Sequence, residues 1–360
     1  MQGTSYPRME IFLDRIRHNV AVVCGRARAH GVEIVGVTKG LCGEPLVARA
    51  MLEGGVSALG DSRLSNLARL RREGINAPLM LIRIPMMSEA RWVPRVADIS
   101  LQSEPAVARV VGEEAAQCGR RHRVILMVDT GDLREGVWPE RVLHVARQMH
   151  AMPGLELWGM GTNTACYGGV LPTPENTGLL VRLAQEVRDS LGVPLPVVSG
   201  GNTATYFLLE QETLPAGITQ LRMGEGLLLG VNTTVGAPIR GARQDTIRLL
   251  AEVIEVARKP SVPIGPRGRD GFGEVPQFED RGWHRRAVVA LGRQDVDVRG
   301  VTPLLPGAKV LGGSSDHLLL DVEDCPKPPA PGDVVAFGLN YSAMLRAATS
   351  AYVQKVYKGK

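Results

Sequence analysis

Three short stretches carry residues whose chemistry stands apart from their surroundings. The first is Ile34-Val35-Gly36-Val37-Thr38-Lys39-Gly40. Its β-branched apolar run fits a buried strand and puts a lysine where that strand should end. An ammonium set over an apolar floor loses hydration, so its pKa falls and the free amine becomes able to form a Schiff base. A lone strand-end lysine more often snorkels into solvent, so Lys39 needs company. The other two stretches are Ser199-Gly200-Gly201-Asn202-Thr203-Ala204, which opens a helix, and Arg222-Met223-Gly224-Glu225-Gly226. Glycines there let backbone N–H groups approach an anion, a helix start adds partial positive charge, and Thr203 adds a hydroxyl donor. Alone, Gly-Gly-Asn-Thr is more often a plain turn; its position decides.

That position follows from the elements. Short apolar runs at 33–39, 58–60, 78–84, 98–101, 123–129, 155–161, 195–198 and 220–222 alternate with helix-former stretches such as 62–72, 104–118, 139–149 and 175–191. Eight such units in succession predict an α/β fold, a (β/α)8 TIM-type barrel, rather than a doubly wound sheet. Each run ends in polar residues: Thr38-Lys39, Asp61-Ser62-Arg63, Arg83, Gln102-Ser103, Asp129-Thr130, Thr162-Asn163-Thr164, Ser199 to Thr203, and Arg222. Parallel strands gather all of these on one rim, the active rim of this architecture, and its seventh and eighth loops are the usual phosphate site. Beyond residue 235 the texture becomes short β-prone runs (286–291, 309–311, 317–322, 334–338) between Pro/Gly turns, with no helix of length. The expectation is a barrel over 12–235 and a smaller, mainly-β domain over 236–360, joined by a strand from residues 1–11. The segment 260–282 reads as a long loop, and the glycine run 265–273 follows no strand and opens no helix, which excludes a nucleotide loop. A barrel rim, a phosphate cradle and a strand-end lysine together suggest pyridoxal 5'-phosphate, held covalently and by its phosphate.

Composition excludes other classes. Hydrophobic residues at 44% and charged residues at 22% suit an ordinary globular protein, and no apolar run approaches the ~20 residues that span a bilayer. The net charge of +5 does not point to nucleic acid, because basic residues are dispersed beside acids, as in Arg71-Arg72-Glu73, and aromatics are only 4%. The N-terminus, Met1 to Arg8, has no apolar signal core, and five scattered cysteines without CxxC spacing read as free thiols. The expected setting is the cytoplasm, with no metal, membrane or nucleic acid.

The chain resembles the alanine-racemase-like, barrel-type pyridoxal-phosphate enzymes, and among them the ornithine racemases. The resemblance rests on Leu81 to Met86, Met127 to Gly136, Val198 to Asn202, Leu221 to Glu225, Pro260 to Gly265 and Gly313 to His317. It implies a homodimeric isomerase that interconverts L- and D-ornithine, or lysine, through an aldimine on Lys39, with active sites at the subunit interface. Arg222 would approach the pyridine nitrogen; because a guanidinium keeps its proton, that nitrogen would stay unprotonated and the ring a weaker electron sink. Thr203, with Gly224 and Glu225, would hold the phosphate, as would Tyr341; Arg134 would lie near the phenolic oxygen, and Asn163, Ser199 and Asn202 belong to the same cofactor set.

Departures are equally specific. Met127 stands where alanine racemases carry a lysine, often carbamylated. Asn163 stands in place of a histidine, and Gly43 in place of a phosphate-contacting tyrosine. Ala290 to Asp295 occupies the place of the second-base tyrosine. The second proton carrier is therefore open among Asp295, His317, Cys166 and Asp316. Asp295, supplied by the partner chain, is the expected second base or the partner of a substrate ammonium; Cys166, Asp316 and His317 are expected near the substrate. The rival expectations are a non-catalytic pyridoxal-phosphate binding protein, which the residues beyond 235 disfavour, and a barrel-type amino-acid decarboxylase.

Overall fold

The computed structural model describes residues 6–359, so the reading of a leaderless N-terminus at Met1 to Ser5 lies outside the described residues. The chain divides into two compact units, Leu13–Gln244 and Met1–Phe12 with Asp245–Lys360.

The chain opens with β1 (Arg8–Phe12) and α1 (Leu13–Ala29). In the first unit a closed parallel barrel runs β2 (Glu33–Val37), β3 (Ala58–Asp61), β4 (Leu79–Leu81), β5 (Ile99–Gln102), β6 (His122–Met127), β7 (Leu155–Gly161), β8 (Val197–Ser199) and β9 (Gln220–Met223), with β9 pairing back onto β2. The helices between the strands are α2 (Pro45–Gly54), α3 (Leu64–Arg72), α4 (Val93–Val96), α5 (Pro105–Gln117), α6 (Val142–His150), α7 (Pro174–Leu191), α8 (Tyr206–Glu210) and α9 (Glu225–Leu229). The expected (β/α)8 barrel is present. Several helix starts follow from the sequence: Pro sits in the first turn of α2, α5 and α7, where its missing N–H costs nothing, and Thr173 with Asn176 forms a capping box on α7.

Strands alternate inward and outward, and the inward set of Val35, Ala58, Met80, Ile99, Leu101, Ile125, Met127 and Val197 packs into one buried cluster. Ser100 and Gln102 alternate with Ile99 and Leu101 and therefore face outward. There, buried His122 Nε2 lies 2.9 Å from Ser100 Oγ, to which Gln102 Nε2 also donates at 3.0 Å. The polar end of β5 thus belongs to the strand–helix interface and not to the rim site. Arg83 likewise leaves the site, pairing with Glu89 at 2.9 Å.

A short β10 (Val231–Asn232) and β11 (Ala237–Pro238) close the first unit. The second unit is an antiparallel sheet of β12 (Ile247–Pro260), β13 (Trp283–Val289), β14 (Val301–Pro303), β15 (Lys309–Gly313), β16 (Leu318–Asp321) and β17 (Val334–Leu339), in the order β14-β17-β12-β13-β16-β15. β1 pairs with β12 and also, in parallel, with β18 (Gln354–Lys358). Residues 261–282 form a loop without regular structure between the paired strands β12 and β13. The expectation of no helix of length here is corrected by α10 (Tyr341–Thr349), capped by the Asn340 side chain, which accepts from Ala343 N at 2.9 Å. Asn-Tyr-Ser hides a helix start in what reads as a turn; the cap chemistry was the available signal.

Candidate active site

Lys39 lies just beyond β2, at the start of a 3-10 turn over Lys39–Leu41, with Thr38 fully buried before it. Among the described residues it has no ion-pair partner. Burial is the main reason its amine titrates below the usual 10.5; the positive charge of Arg134 pulls the same way, while Cys166, Asp61 and Glu135 oppose. Thr38 Oγ1 donates to Asp61 Oδ2 at 2.8 Å, and the same carboxylate accepts from Arg63 N at 2.9 Å and Asn66 Nδ2 at 3.0 Å. Burial raises the pKa of Asp61 in spite of these bonds. The loop after β2 is thereby tied to the end of β3. Gly43 sits within it at φ +63, and a Cβ there would lie 2.7 Å from Asn66 Cβ, so any side chain at this position would have to displace Asn66.

Arg222 on β9 is buried, with no carboxylate within ion-pair reach among the described residues. Its guanidinium donates to Thr162 O at 2.6 Å and to the hydroxyl of Ser199, which passes a bond to Gln220 Oε1 at 3.0 Å. A buried cation held only by neutral acceptors is costly. Burial pulls its pKa down to about 10, so it remains charged at neutral pH.

The loops after β8 and β9 meet. Gly201 takes φ +128, open to glycine, and Asn202 caps a 3-10 turn over Thr203–Thr205 by accepting from Ala204 N at 2.7 Å. The expected helix start is present as this 3-10 turn, which runs directly into the five-residue α8, so little dipole accumulates there. Thr203 Oγ1 accepts from Gly226 N at 3.2 Å, and Asn232 Nδ2 holds Thr203 O at 3.0 Å. A Cβ at Gly224 would press on Val37 Cβ and O at 3.3 Å, so the cradle backbone passes close above β2. The Glu225 carboxylate turns to Thr233 N at 3.3 Å and to the Thr233 hydroxyl.

A third wall comes from the loops after β6 and β7. Asn163 Nδ2 reaches Cys166 Sγ at 2.8 Å, and Asn202 Nδ2 donates to Asn163 Oδ1 at 3.0 Å and Thr164 O at 2.8 Å. Arg134 pairs with Glu135. Asp132, which the sequence reading did not single out, is almost fully buried and accepts from Cys166 N at 3.4 Å, Tyr167 N at 3.0 Å and Val170 N at 3.4 Å. Asp132 and Asn232 bond backbone groups distant in sequence, which no local spacing announces.

The barrel unit thus brings together Lys39, Arg134, Asn163, Cys166, Ser199, Asn202, Thr203, Arg222, Gly224 and Glu225. Asp295, Asp316, His317 and Tyr341 belong to the β unit. There Asp295 is buried, and its carboxylate accepts from Gly292 N at 2.9 Å. Its pKa is raised first by burial, with repulsion from Asp316 adding. Asp316 is exposed and bonds His317 Nδ1 at 3.0 Å. Arg293 N and Gln294 N donate to Ser314 O and Ser315 O at 2.9 and 3.0 Å, joining the two loops. Tyr341 opens α10.

Residues 11–231 match the family model for the alanine racemase N-terminal domain. The chain is 43% identical to the lysine racemase of Thermotoga maritima, over 98% of this chain and 99% of that protein. It is 36% identical to the ornithine racemase of Acetoanaerobium sticklandii, over 97% and 99%. Among solved structures, the alanine racemase of a D-cycloserine-producing Streptomyces lavendulae superposes with a TM-score of 0.77 at 21% identity, covering 99% of this chain and 98% of that one. The chain belongs to the alanine racemase family. It is an amino-acid racemase of that family, an isomerase that works with pyridoxal phosphate.

Proposed function

We propose that this chain inverts the Cα configuration of basic diamino acids, lysine and ornithine, as a cytoplasmic homodimer. The observation that carries the chemistry is Lys39, a desolvated amine at the barrel mouth. Two relatives named for lysine and ornithine, similar over nearly the whole chain, support the substrate class, and the higher identity of the lysine enzyme sets lysine beside ornithine rather than second to it.

The residues present suit the coenzyme: among the described residues, a buried guanidinium with no carboxylate to neutralise it and an amine without an ion pair, beside a glycine loop at Gly224 that packs directly on Val37. Lys39 would hold its aldehyde, Thr203 with the Gly224 and Glu225 backbone and Tyr341 its phosphate, Arg222 its ring nitrogen, and Arg134 its phenolic oxygen, with Asn163, Ser199 and Asn202 supporting them. Bound there, pyridoxal phosphate supplies an aldehyde for the substrate amine and a ring that accepts the electron pair of a broken Cα–H bond. Arg222, which keeps its proton, would leave the ring nitrogen unprotonated and so make the ring a weaker electron sink. Lys39 would move the proton at Cα. We assign the substrate's terminal ammonium to Asp295 or Asp316 of a partner subunit, with His317 beside them.

Among the described residues no helix is long and apolar enough to cross a membrane, and all five cysteines are free thiols, in keeping with a reducing compartment.

The test incubates the holoprotein with single enantiomers of ornithine, lysine, arginine, serine and alanine in deuterium oxide, followed by chiral chromatography. Inversion of ornithine and lysine with deuterium at Cα is expected. No inversion of any basic amino acid, or release of carbon dioxide from ornithine, overturns the proposal.

A further inference from the structure

We infer that Cys166 is the second proton carrier of this site, working on the face of the substrate Cα opposite Lys39; the inference rests on the racemase function proposed above. Two acids lie within electrostatic reach of all three rim cations, Lys39, Arg134 and Arg222: Glu135 and Cys166. Glu135 is occupied by the Arg134 guanidinium. Among the described residues, the Cys166 sulfur is held only by neutral amides, Asn163 Nδ2 at 2.8 Å and Asn202 Nδ2 at 3.5 Å. It is therefore the one of the two that is not committed to an ion pair.

The loop presents this thiol with care. Ala165 adopts φ +56, a left-handed conformation that a non-glycine residue rarely holds. Buried Asp132 then fixes the N–H groups of Cys166, Tyr167 and Val170. A Cβ on Gly168 would lie 2.7 Å from Asp132 O, so the loop closes tightly on its latch. Of the five cysteines, Cys166 is the exposed one. A strained loop anchored by a buried carboxylate sets its one reactive side chain in a fixed position.

The proton balance closes without an outside reactant. In one direction the neutral Lys39 amine takes the Cα proton and becomes an ammonium, while the electron pair of the broken bond remains with the carbon and its conjugated system. The Cys166 S–H then gives its proton to the other face, forming a Cα–H bond and leaving a thiolate that the Asn163 and Asn202 N–H groups stabilise. A proton passing from the Lys39 ammonium to the thiolate through water restores the start. The opposite enantiomer runs the same steps in reverse.

The test uses Cys166→Ala in deuterium oxide with each enantiomer of lysine. Inversion should fall by about 100-fold or more, the usual range for losing a general acid–base. The enantiomer that Lys39 deprotonates should still gain Cα deuterium with retention, and its mirror image should gain none. Inversion within threefold of wild type, or equal loss of exchange from both enantiomers in a variant that binds coenzyme normally, overturns the assignment. A second arm reads no turnover: iodoacetamide labelling of Cys166, followed by peptide mass, should be slowed at least tenfold by bound coenzyme. Equal labelling of apoprotein and holoprotein also overturns it. A wild type that inverts no amino acid removes the proposed function first, and the labelling arm then separately settles whether Cys166 faces the coenzyme.

Discussion

At the scale of single residues, the site is a set of charges placed where water would not put them. Lys39 pays for its reactivity in stability. With its folded pKa below the 10.5 of a free lysine, the unfolded chain binds more protons between those two values. Stability of the coenzyme-free protein should therefore rise with pH through that window, and the full penalty is present below it. Lys39→Met should make the apoprotein more stable than wild type at pH 7, with the gap closing as pH nears 10.5; thermal unfolding across pH checks this, and a destabilised variant would contradict it. The same burial that makes the amine a base makes it a liability while empty.

At the scale of elements, the glycines at the rim decide whether the loops can meet. A Cβ on Gly201 would lie 2.4 Å from Thr205 Oγ1, which otherwise donates to Gly200 O at 3.1 Å, and φ +128 excludes a relaxed side chain. Gly201→Ala should move the Thr203 turn and raise the dissociation constant for pyridoxal phosphate by about tenfold or more, a loss of ~1.4 kcal/mol. Spectroscopic titration of the apoprotein measures it. The barrel was legible because parallel strands buried on both faces read as apolar runs, and polar strand ends marked the rim. Even so, Gln102 and Arg83 shared that polar signature without sharing the site, because a strand's pleat, not its end, decides which face a residue takes. β12 escaped notice: Ile247-Arg248-Leu249-Leu250-Ala251-Glu252-Val253 spaces its apolar residues as well for a helix as for a strand. Asp132 and Asn232 were equally hidden, since each serves backbone groups far along the chain.

At the scale of the whole molecule, a buried imidazole sets the acid limit of the barrel. His122, packed between β5 and the helix layer, is pushed down by burial from 6.5 to about 4 and stays neutral in the folded state. The unfolded chain takes up that proton first, so stability falls as pH drops from 6.5 toward 4, by roughly 3 kcal/mol on this account. His122→Gln should flatten the decline in urea midpoints over that interval; an unchanged slope would show that other groups govern it.

The β unit is drawn from chain on both sides of the barrel. β1 is made before the barrel, yet its partners β12 and β18 come more than two hundred residues later, after the entire barrel. At ribosomal speeds of about 5–20 residues per second, that strand waits on the order of ten seconds or more with its backbone unpaired. The barrel can close on the nascent chain during that interval, while the β unit can fold only once the strands beyond the barrel have been made.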